Sequence, residues 1–184
     1  MGNCFTILVN MSMKCAFMGE EAMAHRKNWR EKLRGIVGLF SDRRQNVHEI
    51  LAARYIDETH HAQRLKFHAE RMQYPQFREK LNAIAAVESE HARWIAEKIR
   101  ALGDTLPDVP EISFKEKNSW EYLLADLEEH RECAAELLTE INMLWAEFPG
   151  VADTLQRIYD DSVKHRQEIR EMLMRSDPQA HLAA

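Results

Sequence analysis

Leu81-Asn82-Ala83-Ile84-Ala85-Ala86-Val87-Glu88-Ser89-Glu90-His91-Ala92-Arg93-Trp94-Ile95 is the stretch whose reading decides the fold. Leu81, Ile84, Glu88, His91 and Ile95 recur at steps of three and four, the stripe of a helix packed against other helices. Outward from it, Phe77 precedes and Lys98 and Leu102 follow on the same spacing, which predicts a helix over about residues 76 to 102. Two ionisable side chains thus stand in the middle of an apolar face. A buried carboxylate without a partner costs several kcal/mol in effective terms, so something opposite must compensate Glu88.

Three more segments carry the same period. Residues 43 to 72 give the stripe Leu51, Tyr55, Glu58, Ala62, Leu65, Ala69 and Met72. Residues 119 to 147 give Trp120, Leu124, Leu127, Arg131, Ala134, Leu138, Ile141 and Trp145, opened by Asn118 with Glu121 as an N-terminal cap. Residues 151 to 174 give Val151, Leu155, Ile158, Ser162, His165, Ile169 and Met172. Pro75, the stretch from Gly103 through Pro107 and Pro110, Pro149-Gly150 and Pro178 mark the breaks. The first and third breaks are short and make antiparallel hairpins. The link from Gly103 to Asn118 reaches roughly 50 Å at about 3.3 Å per residue, longer than a helix of ~25 residues at about 37 Å. The expected architecture is all-α: two antiparallel hairpins joined by a crossover that runs the length of a four-helix bundle.

Length and composition agree. The chain has 184 residues, 45% hydrophobic and 30% charged, enough for one continuous core and too little for a second full domain. A net charge of -5 excludes a general nucleic-acid binder, which needs an excess of Lys and Arg to displace counterions. Cys4, Cys15 and Cys133 are odd in number and form no C-x-x-C pair, so neither a disulfide framework nor a zinc knuckle is implied, and a cytoplasmic location is expected. The expected organisation is an N-terminal extension over 1–24, an amphipathic helix over 25–42, the bundle over 43–176 and a tail over 177–184. Met1-Gly2-Asn3-Cys4-Phe5-Thr6 fits an acylation pattern. Against that, Met11, Met13, Met18 and Met23 favour a later start or a loosely ordered extension. The apolar run from Phe5 to Met18 is shorter than the ~18 to 20 residues of a spanning helix. Trp29, Leu33, Ile36 and Phe40, flanked by Lys27, Arg30, Lys32 and Arg34, form a stripe expected to dock on the bundle or a neighbour rather than on a membrane.

Glu58 and the pair Glu88 and His91 lie at similar distances from the turn near residue 74 and should share one layer. Residues three apart on a helix face the same way, so Glu88-x-x-His91 aims an oxygen and a nitrogen at one point, a donor set that suits iron, manganese or zinc. His165 with Asp161, four residues earlier, is expected to form the opposing half-site. On the third segment Glu128, Glu129 and Glu132 fall at least about 90° off the stripe, and His130 lies on its edge. Arg131 offers the alternative reading: a metal-free interaction module in which its guanidinium neutralises Glu58 and Glu88. His60, His61 and His68 read as surface or supporting residues, Tyr55 as a hydrogen-bond donor behind the carboxylates or a core aromatic, and Cys133 as pointing away.

Over residues 43 to 174 these motifs resemble the rubrerythrin-like branch of the ferritin-like superfamily. That family's pattern is a Glu on the first helix, E-x-x-H on the second, Glu on the third and E-x-x-H on the fourth. Glu58 matches the first element and Glu88 with His91 the second, while Glu129 and Glu132 match the third helix in sequence. Ser162 stands where the fourth motif has Glu before His165, so the resemblance leaves open whether one metal or two are held. It implies a di-iron or single-iron centre, manganese or zinc being possible. The implied chemistry is that of an oxidoreductase reacting with O2 or peroxide, or oxidising iron. With no rubredoxin domain following the bundle, an external electron donor is implied, as is a homo-oligomer, a dimer; no membrane or nucleic acid is expected.

Overall fold

The computed structural model describes residues 43–115 and 117–177; the expected extension over 1–24, the amphipathic helix over 25–42 and most of the 177–184 tail lie outside them. Four helices follow in order: α1 Arg43–Arg71, α2 Pro75–Ala101, α3 Ser119–Leu144 and α4 Pro149–Leu173, an all-α bundle.

Local chemistry sets their ends. Pro75 and Pro149 open α2 and α4 at the first turn, where a missing N–H costs nothing. Asn118 caps α3 by accepting from Glu121 N at 2.8 Å, while Glu121 Oε2 accepts from Asn118 N at 3.0 Å, a reciprocal capping box. Gly103, with φ 90°, ends α2. Its N–H donates to Arg100 O at 3.0 Å and that of Asp104 to Ile99 O at 3.2 Å, the paired bonds of a left-handed helix stop that favours glycine.

Contacts between helices give the topology. His68, His61 and Arg54 on α1 meet Asp126, Glu129 and Glu136 on α3, so the numbering falls on one helix as it rises on the other. His165 and Asp161 on α4 meet Glu88 and His91 on α2 in the same opposed sense. With α1 antiparallel to α3 and α4 antiparallel to α2, and with tight turns joining α1 to α2 and α3 to α4, α2 and α3 point the same way. Only a crossover can join them. The link supplies it alongside α1: Asp104 pairs with His48, Pro110 O with His60 Nε2 at 2.8 Å, and Phe114 stacks on Phe67. From residue 104 to 114 an extended chain reaches roughly 33 Å, matching the ~28 Å from 48 to 67 along a helix.

The core has three layers. One apolar end contains Val47, Leu51, Ile95, Ile99, Leu155 and Ile158; the other contains Leu65, Met72, Leu81, Ile84, Leu123 and Ile169. Between them lies a polar waist, in which Glu58, Glu88, His91, His130 and His165 are all buried.

The stripes expected on α1, α2 and α4 are inside, but α3 is turned by about one residue, which is 100°. Its buried face is Tyr122, Leu123, Asp126, His130, Cys133, Leu137, Ile141 and Leu144, whereas Leu138 and Trp145 are exposed. Adjacent leucines at 123/124 and 137/138 made two apolar faces available. The polar Asp126 and His130 are buried because partners await them, which hid the true face from an apolar pattern. Arg131 is therefore exposed and does not neutralise Glu58 and Glu88. The buried guanidinium is that of Arg54, committed to Asp57, Glu136 and Glu140 at 2.9, 2.9 and 3.3 Å.

Candidate metal centre

Each helix contributes to the waist at a fixed register. Glu88 is the hub. Its Oε1 lies 2.7 Å from His165 Nδ1 and 3.8 Å from His130 Nδ1, and its Oε2 lies 3.0 Å from His91 Nδ1. Burial alone would raise the Glu88 carboxyl, but the bonds from His165 and His91 and the charge of His130 hold it well below the usual range.

Glu58 is the reverse. It is 1% exposed, and both its oxygens lack a hydrogen-bond partner among the described residues. The nearest ring nitrogens, His91 Nδ1 at 3.6 Å and His61 Nδ1 at 3.9 Å, are too far for a hydrogen bond. Burial, then the neighbouring charge of Glu88, pushes Glu58 up to about 7. A buried carboxylate with two idle oxygens is the kind of group that normally has a missing partner.

The histidines are oriented from behind. His91 Nε2 lies 3.3 Å from Asp161 Oδ2, and His61 Nε2 lies 3.4 Å from Glu129 Oε1. A carboxylate only accepts, so the outer nitrogen of each ring carries the proton and the inner Nδ1 is turned toward Glu58 and Glu88. Burial would lower His91, yet Glu58 and Glu88 more than offset it and raise it to about 10. The Nδ1 proton of His91 thus supplies positive charge between two carboxylates. His61 is also raised: burial opposes protonation, but the bond to Glu129 and the charge of Glu58 prevail. His130 is lowered to about 4, chiefly by burial, which prevails over the opposing charge of Glu88.

Ligand-type atoms within 4.8 Å of one another form three overlapping groups: Glu58, Glu88 and His91; Glu88, His130 and His165; and Glu58, His61 and Cys133. The structure therefore brings Glu58, Glu88, His91 and His165 of the expected set together. Asp161 and Glu129 stand behind histidines; Glu129 also pairs with Arg64 at 3.1 Å. Glu132 is exposed and is not brought to the waist, because at 100° per residue it lies off both the expected and the observed inward face of α3.

Four residues were underread in sequence. His61, expected at the surface or in a supporting position, is 3% exposed. Its signal was Glu58-Thr59-His60-His61, a second E-x-x-H on α1. His130 and Cys133 needed the rotated register of α3. His68, also expected outside, is buried against Asp126 at 2.8 Å and stacked on Tyr122. A recess between α1 and α3, lined by His61, Arg64, Leu65, Asp126, Glu129 and His130, lies beside the waist.

A four-helix bundle with an in-line crossover and inward carboxylates and histidines on facing helices defines a class. Residues 64–176 match the family model described as the ferritin-like domain; the chain belongs to that family. Among solved structures it is similar to a dodecameric thioferritin, the bacterioferritin-related protein of Bacteroides fragilis. The TM-score is 0.67 at 16% identity, covering 79% of this chain and 93% of that one. It is also similar to a point mutant of the Dps1 protein of Mycobacterium smegmatis, with a TM-score of 0.64 at 17% identity, covering 73% and 99%. No curated protein sequence matches. Among the described residues no helix is long and apolar enough to cross a membrane.

Proposed function

We propose that the waist binds transition-metal ions, iron foremost, and that the protein is an iron-dependent oxidoreductase acting on O2 or peroxide, or oxidising iron itself. The observation that carries this reading is Glu58, whose two buried oxygens have no hydrogen-bond partner among the described residues and face Glu88, His91 and His61. The donor set fits: carboxylate oxygen and imidazole nitrogen suit iron and manganese, with zinc next. Glu58, Glu88, His91, His130 and His165 would hold the metal, Glu88 being common to two of the groups. Bound iron would supply electron transfer to O2 or peroxide.

The chain's own residues do the rest. Asp161 and Glu129 fix the ring planes and tautomers of His91 and His61 from outside, a role that raises ligand basicity. Glu58 and His91 carry protons that metal uptake must release, and the apolar layers on either side exclude water. The rubrerythrin-like reading adds an external electron donor and a cytoplasmic setting. It also adds a homo-oligomer, a dimer; self-association as such is favoured by the dodecameric neighbour and by the exposed Leu138, Met143 and Trp145.

The test is reconstitution with Fe(II) without oxygen, elemental analysis, and then stopped-flow mixing with peroxide or O2. Bound iron whose oxidation outpaces that of free Fe(II), with both properties lost in a Glu88→Ala, His91→Ala variant, is expected. Metal retained unchanged in that variant would overturn the reading.

A further inference from the structure

The waist contains an internal repeat. On α1 and α2, Glu58-x-x-His61 corresponds to Glu88-x-x-His91; on α3 and α4, Glu129-x-x-x-Cys133 corresponds to Asp161-x-x-x-His165. The contacts follow the same rule: His61 Nε2 faces Glu129 as His91 Nε2 faces Asp161. In this register Cys133 occupies the place that His165 holds in the other half, and His165 lies 2.7 Å from the glutamate of its own half-site.

We infer that Cys133 is a metal ligand: its thiolate, with Glu58 and His61, forms a sulfur-containing position for a borderline-soft divalent cation such as zinc or cobalt. The inference rests on the waist being a metal centre, and it makes the two halves of that centre chemically unlike.

Four observations carry it. The donor atoms of Glu58, His61 and Cys133 all lie within 4.8 Å of one another. Tetrahedral zinc with bonds of about 2.0 to 2.3 Å holds its ligands roughly 3.3 to 3.8 Å apart, so side-chain rotation of about 1 Å closes the site. Glu58, at 1% exposure, has no hydrogen-bond partner for either oxygen among the described residues. His61 has its outer nitrogen directed at Glu129, which leaves Nδ1 turned inward, 3.9 Å from Glu58 Oε2. Finally, Arg54 Nη1 donates to Cys133 Sγ at 3.2 Å. A buried guanidinium beside sulfur, itself held by Asp57, Glu136 and Glu140, favours the thiolate. Without a cation, burial keeps the proton on sulfur; a coordinated cation takes the place of that proton, which leaves to solvent.

Cobalt(II) titration of the full chain, followed by absorption spectroscopy, tests this. The expected result is a sulfur-to-cobalt charge-transfer band in the near ultraviolet. Cys133→Ser should abolish the band and cost one equivalent of cobalt while leaving the far-ultraviolet circular dichroism unchanged, and His61→Asn should weaken it as an independent check. Bound cobalt without that band, or a band that survives in Cys133→Ser through Cys4 or Cys15, overturns this inference and leaves the metal centre standing. Failure to bind cobalt at all overturns both.

Discussion

The apolar ends of the bundle and its waist are built from the same four helices and are equally buried, yet they are held by opposite means. At the ends, Leu65, Leu81, Leu123 and Ile169, or Leu51, Ile95, Leu155 and Ile158, fill space, and each is stabilised by leaving water. At the waist, Glu58 and Glu88 lose hydration while facing histidines, each other and Cys133, and both oxygens of Glu58 lack a hydrogen-bond partner among the described residues. A waist of leucines would serve the fold at least as well, since replacing buried ionic clusters by well-packed apolar residues is often neutral or stabilising by about 1 to 4 kcal/mol. The ends therefore account for the fold, and the waist requires a reason other than the fold.

That contrast can be broken most heavily from the apolar side. Leu81→Ala, at 0% exposure, should lower unfolding free energy by about 2 to 5 kcal/mol. Its metal stoichiometry, measured below the melting transition, should stay unchanged. Loss of metal in that variant would mean that the ends and the waist are not separable. Next, Asp161→Asn should weaken metal binding by about 10- to 100-fold without lowering the number of ions at saturation, because its carboxylate stands behind His91. Isothermal titration separates the two quantities; a lost equivalent would make Asp161 a direct ligand instead.

A smaller effect concerns pH. Glu58 is raised to about 7 and His91 to about 10, so below those values each carries a proton that a cation must displace. Metal affinity should rise as pH climbs through about 7, with proton release visible in buffers of different ionisation enthalpy. Affinity that is flat across that range would place the cation elsewhere. The smallest effect lies outside the core: Asn118→Ala removes the capping box of α3 and should cost about 1 kcal/mol in thermal unfolding, with the waist unaffected.

The division between ends and waist also explains what the sequence revealed. Helix spacing located all four helices, and the length of the 103–118 link identified the crossover, because both depend on local chemistry that survives without tertiary context. On α1, α2 and α4 the apolar stripe marked the inward face, and its polar interruptions were Glu58, Glu88, His91 and His165. On α3 that logic failed. Its inward face carries Asp126, His130 and Cys133, whose burial depends on His68, Glu88 and Arg54 from other helices, and no pattern within α3 encodes those partners. His61 was legible as the end of a second E-x-x-H, but the run of histidines on α1 read as a solvated flank. The outer roles of Asp161 and Glu129 needed the ring orientations, which only packing sets.

The central claim is that the waist, not the surface, is where metal sits. Crystals of the full chain loaded with Fe(II) under anaerobic conditions, with anomalous diffraction recorded at the iron edge, address it directly. The account predicts anomalous density enclosed by Glu58, Glu88, His91, His130 and His165. Anomalous peaks confined to exposed carboxylates such as Glu132, with none at the waist, would contradict it.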